Sequence, residues 1–147
     1  MSGKQQDVLA ILKLYELRRD DELRAARAWY LGEFNPGSAQ EIAAMMLSGE
    51  GPSARFRMVV SYWDMAASLV NNGGIDEKLF LEANTEHVVV FAKIEPFLAE
   101  LREMFAEPEY LGHLERLVRK VPNVEERLVK MRGFLQRWTK AAGAGPS

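Results

Sequence analysis

Cysteine is absent from the sequence. That excludes disulfides, thiolate metal sites and cysteine nucleophiles, and makes the cytoplasm the simpler expected location. Histidine is scarce, with two residues in 147, so imidazole-rich metal or acid–base sites have little to draw on. No apolar run approaches the ~20 residues that span a bilayer. The opening Met1-Ser2-Gly3-Lys4-Gln5-Gln6-Asp7 lacks the basic start and apolar core of a signal peptide. The net charge of −2 gives no strong field for nucleic acid, which is not expected as a partner. Gly-x-Ser-x-Gly is missing, and Gly49-Glu50-Gly51 is not followed by a phosphate-loop lysine.

What is present is helical pattern. Nearly half the residues are apolar and about a quarter charged, the balance of a folded domain with room for a core. Ser53 to Asn72 is the central element. On a helical wheel Phe56, Val59, Val60, Trp63, Ala67 and Val70 share one face, and Met58, Tyr62, Met65, Ala66 and Leu69 flank it. A helix apolar around most of its circumference is enclosed by other helices. Ser53 is its expected N-cap, and Gly73-Gly74 its expected C-terminal stop.

Around it, Asp7 to Leu17 carries Val8, Ile11, Leu12 and Tyr15. Leu23, Ala26, Trp29 and Tyr30 continue the periodicity beyond Arg18–Glu22, which is either an exposed turn of one helix or a break between two. Ser38-Ala39-Gln40-Glu41 is a capping box. Asp76 caps a short helix with Leu79 and Phe80. Asn84-Thr85 precedes the longest apolar stripe, Val90, Phe91, Ile94, Phe97, Leu98, Leu101, Met104 and Phe105, where Pro96 should kink the helix. Pro108 should open the next helix. The last has Val124, Leu128, Met131, Leu135 and Trp138 at alternating spacings of four and three, a face that places Trp138 in the core or at an interface. The expected fold is all-α: a single-domain irregular helical bundle of about six or seven helices over residues 1–140, followed by a flexible tail, 141–147.

The central helix leaves one polar strip, Arg57, Ser61, Asp64, Ser68 and Asn71, at spacings of three and four. If that strip lines a concavity, Arg57 can hold an anion while Asp64 and Asn71 orient a polar ligand. As the plain exposed side of the helix it would do neither. Glu86 and His87 are adjacent, hence on different faces. Glu109 and His113 share a face but supply too few ligands, so no metal and no cofactor are expected. Acidic residues outnumber basic ones about two to one from Pro36 to Glu107, and the ratio reverses after Pro108. That asymmetry is either a solvated face or an acid–base contact between copies.

Trp63-Asp64, then Gly74-Ile75-Asp76, Leu79-Phe80, Pro96 and finally Arg102 form an ordered series. Over Val59–Arg102 it resembles an uncharacterised bacterial all-helical family, a domain of unknown function. The resemblance implies no activity and no catalytic residue. It implies an N-terminal membrane anchor in many members, which no apolar run here supplies. Together these readings favour a non-enzymatic interaction or assembly module, as a homodimer or with a protein partner. The alternative is a protein that binds a small anionic or polar ligand on the Arg57/Asp64/Asn71 strip.

Overall fold

Asp20 decides the first ambiguity in the sequence. Its side chain accepts the backbone N–H groups of Glu22 and Leu23 at 3.1 and 3.4 Å, which makes it the N-cap of a new helix rather than part of a continuous one. The computed structural model describes residues 3–143, with side chains through Trp138. Among the described residues there are eight helices and no strand: α1 (Gly3–Arg18), α2 (Asp21–Gly32), α3 (Ala39–Ser48), α4 (Gly51–Asn71), α5 (Glu77–Ala83), α6 (Glu86–Met104), α7 (Gly112–Val118) and α8 (Val124–Gly143). The all-α expectation holds, with the break at Asp20 taking the count above seven. Of the expected tail 141–147, residues up to Gly143 belong to α8 and 144–147 lie outside the described residues.

One core draws on all eight helices, from Leu14 of α1 and Tyr30 of α2 through Phe80 of α5 to Leu128 of α8. Trp63 and Val60, on which the architecture was expected to turn, are 1% and 3% exposed. Helix α4 packs chiefly on α7 and α2, then α3, and only lightly on α6. Contacts of α6 fall mainly on α8, α7 and α3.

Several ends follow the local chemistry of the sequence. Ser38 Oγ accepts the Glu41 N–H at 3.1 Å, although the Glu41 carboxylate reaches back to Gly37 N–H at 2.7 Å rather than to Ser38. Asp76 caps α5 by accepting Leu79 N–H at 2.9 Å. After α4, Gly73 adopts φ 81°. Gly74 N–H then bonds Leu69 O at 2.8 Å and Gly73 N–H bonds Val70 O at 3.0 Å, the two bonds of a Schellman termination.

Other ends differ. Helix α4 starts at Gly51 with Glu50 as N-cap. Ser53 lies inside the helix, 2% exposed, and donates to Met46 O. Thr85 caps α6 without a side-chain bond, because Asn84 turns instead to Phe80 O and accepts from Arg18. Residues after Pro108 form turns, and α7 begins only at Gly112, after Leu111 in the left-handed region. Helix α6 runs through Pro96 without interruption. Proline has no N–H for the carbonyl four residues earlier, that of Ala92. Arg132 of α8 reaches across and donates to that Ala92 oxygen at 3.3 Å.

Candidate functional site

The polar strip of α4 falls into two groups. Arg57, Ser61 and Asp64 line a shallow concavity of about 410 Å3 with Met46, Val60, Met65, Tyr110 and Leu111. Ser68 and Asn71 are not part of its lining. Burial pushes the Tyr110 hydroxyl up to about 12, and the Asp64 carboxylate adds to the shift, so Tyr110 stays neutral at this wall.

Each strip residue also has a partner in the chain. Arg57 Nη2 donates to Met46 O, in the last turn of α3, at 2.7 Å. Ser53 Oγ donates to the same oxygen at 2.8 Å. Carbonyls at a helix C-terminus have no partner of their own, and a cation there complements the helix dipole. Asp64 Oδ1 accepts Leu114 N–H, in the first turn of α7, at 2.9 Å, the mirror case of an anion at a helix N-terminus. Asn71 Nδ2 donates to His113 O at 2.9 Å. Ser61 and Ser68 bond back to their own helix, at Arg57 O and Met65 O. The strip is therefore a rail that fixes α3 and α7 against α4.

Two ionisable clusters were not foreseen from the sequence. Glu86, at the start of α6, accepts from Arg27 Nε and Nη2, both at 2.8 Å, and from Trp63 Nε1 at 3.1 Å. Hydrogen bonding to Glu86 raises the Arg27 guanidinium above its ordinary value. Beside it His87 is 1% exposed, between the rings of Trp63 and Phe80 at 5.9 and 5.4 Å. Both of its ring nitrogens lack a hydrogen-bond partner. Burial, with Arg18 nearby, lowers its pKa to about 4. This is a neutral core histidine.

The second cluster centres on Lys93 of α6, 9% exposed. Its Nζ donates to the carbonyls of Tyr30 at 2.6 Å, Leu31 at 3.3 Å and Phe34, where α2 ends. Burial pushes the ammonium down to about 8. All three contacts are to acceptors, as a protonated ammonium with three N–H donors requires. A lysine between Ala92 and Ile94 inside an apolar stripe was the sequence signal for this cluster.

His113 Nδ1 lies 2.9 Å from Arg116 Nη2, while Glu109 pairs with Arg116 at 3.3 Å rather than with His113. Among the described residues no group of three His, Asp or Glu could hold a metal. Several basic residues late in the chain are matched within it. Arg119 pairs with Glu95, Glu115 and Glu125, Lys120 with Glu77, and Arg132 with Glu95. Part of the charge asymmetry of the sequence thus closes between α5, α6, α7 and α8.

Apolar residues remain outside. In α1, Leu14 is buried and Ala10 and Ile11 pack on the core, but Val8, Leu9, Leu12 and Tyr15 are 42–54% exposed. In α8, Leu128 and Leu135 are buried, whereas Val129, Phe134 and Trp138 are exposed. Trp138 was expected in the core or at an interface, and it is not in the core. It follows the helical spacing, yet it is exposed among the described residues, its ring tilted against that of Phe134 with centroids 5.9 Å apart.

Compared with known proteins, residues 5–121 match the family model described as domain of unknown function DUF4760. The match contains the whole segment Val59–Arg102 and extends past it at both ends. No curated protein and no solved structure matches the chain. No described helix is long and apolar enough to cross a membrane.

Proposed function

The chain belongs to the DUF4760 family, a domain of unknown function, and from that premise we propose that it is a non-enzymatic assembly module that pairs with a second copy of itself through the outer face of α1. The observation that carries this is the outward row Val8, Leu9, Leu12 and Tyr15 on a helix whose other face is already buried at Leu14. A helix apolar on two sides is one that lies between partners. The helix is 16 residues, about 24 Å long.

Charge selects the second copy as the occupant. Lys4, Asp7, Lys13 and Glu16 sum to zero along α1, and the two arginines at its C-terminal end lie over the Tyr15 ring, Arg18 also reaching Asn84 and the Trp63 ring. Two such faces meet without like-charge repulsion. A polyanionic partner would draw on basic residues spread along the face, whereas here the excess is confined to Arg18 and Arg19 at one end. Removing what is still exposed of each of these side chains from water contributes on the order of 1 kcal/mol apiece.

Sedimentation equilibrium tests the proposal. A dimer at micromolar concentration that persists in high salt is expected, because an apolar seam is not screened. Leu9→Asp with Leu12→Asp should give a monomer with unchanged far-ultraviolet circular dichroism. A wild-type monomer at high micromolar concentration would sink the proposal.

A second reading keeps the concavity at Arg57, Ser61 and Asp64 as a site for a small polar ligand. Arg57 and Asp64 each retain donor or acceptor capacity beyond the one bond that holds a neighbouring helix. A ligand there would raise the melting temperature of the wild type but not of Ser61→Trp, whose indole would fill the concavity.

A further inference from the structure

Lys93 is a buried cation without an anion. Its three donors all go to uncharged carbonyls, and no carboxylate pairs with it among the described residues. Taking an ammonium out of water is costly unless an opposite charge comes with it. Hydrogen bonds to carbonyls and the C-terminal end of the α2 dipole offset part of that cost. They leave the positive potential itself in place.

That potential opens into a cavity of about 330 Å3, lined by Asn35 and Pro36 of the α2–α3 loop, Lys93, Pro96 and Phe97 of α6, and Arg132, Leu135 and Gln136 of α8. Among the described residues the lining holds two cations and no carboxylate. Arg132 is tied through Nη1 to Ala92 O and to Glu95, at 3.3 and 3.4 Å. Glu95 is shared between Arg132 and Arg119, the latter also paired with Glu115 and Glu125, and none of these carboxylates pairs with Lys93. The rest of the guanidinium fork has no partner among the described residues. Phe97, Leu135, Pro36 and Pro96 make the remaining walls largely apolar, and the Asn35 and Gln136 amides add donors. The volume is at the lower end of small-ligand sites, roughly 300–1,000 Å3.

We propose that this cavity binds a small organic monocarboxylate, with the carboxylate toward Lys93 and Arg132 and the hydrocarbon body against Phe97 and Leu135. A carboxylate supplies the missing single negative charge and matches the planar guanidinium fork. The apolar walls favour an aromatic or branched body over an inorganic anion. Pro96 has a part in this geometry. By freeing the Ala92 carbonyl it gives Arg132 an acceptor that holds the guanidinium beside the cavity. This site is separate from α1, so its occupancy and self-association are measured independently.

Benzoate is the probe, added at millimolar concentration to the full chain and followed by thermal shift and by amide chemical shifts. A ligand that binds the folded state alone raises the melting temperature. Benzoate should do so, with shifts centred on Asn35, Phe97 and Gln136, and benzyl alcohol of the same size should not. Arg132→Gln should weaken binding by about tenfold or more. Gln136→Trp, an exposed position whose indole would fill the cavity, should abolish it while leaving the unliganded melting temperature near that of the wild type. The proposal is overturned if benzyl alcohol or inorganic phosphate stabilises as well as benzoate, if Gln136→Trp still responds, or if the wild type does not.

Discussion

Arg57 and Asp64 stand about two turns apart on α4 and hold opposite ends of two different helices. The guanidinium donates to Met46 O in the last turn of α3, and the carboxylate accepts Leu114 N–H in the first turn of α7. Each charge has the sign that the helix end it meets requires. The pair explains why a helix so apolar keeps a polar seam: the seam orients its neighbours.

This makes Asp64 a capping residue supplied from another element. Helix α7 has no side-chain cap of its own, since its N-cap position is Leu111. Asp64→Ala should cost about 1–2 kcal/mol, the usual loss for a removed helix cap. Asp64→Asn keeps an acceptor oxygen and should recover most of it. Urea unfolding of the two variants checks the order. Equal losses for both would mean that charge, not the hydrogen bond, is what matters.

The end of α6 offers the opposite case, a position where a substitution should stabilise. Ala106 adopts φ 54°, and Glu107 N–H bonds Arg102 O at 2.9 Å in a Schellman termination. The left-handed conformation costs an L-residue roughly 1–2 kcal/mol and glycine much less. Ala106→Gly should therefore gain about 0.5–1 kcal/mol, read as a higher urea midpoint with an unchanged slope. Leu111, at φ 56°, should not behave this way, because its side chain is 5% exposed and glycine would forfeit that burial.

His87 sets an acid limit on stability. Its pKa falls from 6.5 in the unfolded chain to about 4 in the fold, so between those values the unfolded chain binds the proton more readily. The stability due to the neutral imidazole is fully present above pH 6.5 and is lost as pH falls toward 4. The loss is on the order of 3 kcal/mol at the end of that window. Arg18 and Glu86 both face this group, the first lowering its pKa and the second raising it. His87→Phe should flatten stability against pH between 6.5 and 4, in denaturant titrations at fixed salt. An unchanged slope would assign the acid sensitivity to carboxylates.

Spacing within single helices was enough to place Trp63, Val60 and Phe56 in the core, and the cap chemistry of Ser38, Asp76 and Gly73 was readable because each acts within a few residues of itself. The strip Arg57, Ser61, Asp64, Ser68 and Asn71 was readable as a strip, but not as a rail. What Arg57 and Asp64 touch lies on other helices, and periodicity carries no information about where those ends arrive. For the same reason Val8, Leu12 and Trp138 fell on apolar stripes by spacing and proved exposed. Burial needs a neighbour, and the neighbour is a fact of topology.

The sequence by itself determined the helices, most of their boundaries and the composition of the core, since those depend on local backbone preference and on which side chains avoid water. Only the tertiary structure decided that Arg132 would answer the carbonyl freed by Pro96, that Lys93 would lie buried without an anion, and that one apolar face of α1 would be left uncovered. Each of those depends on distances between residues far apart in the chain, which packing alone sets.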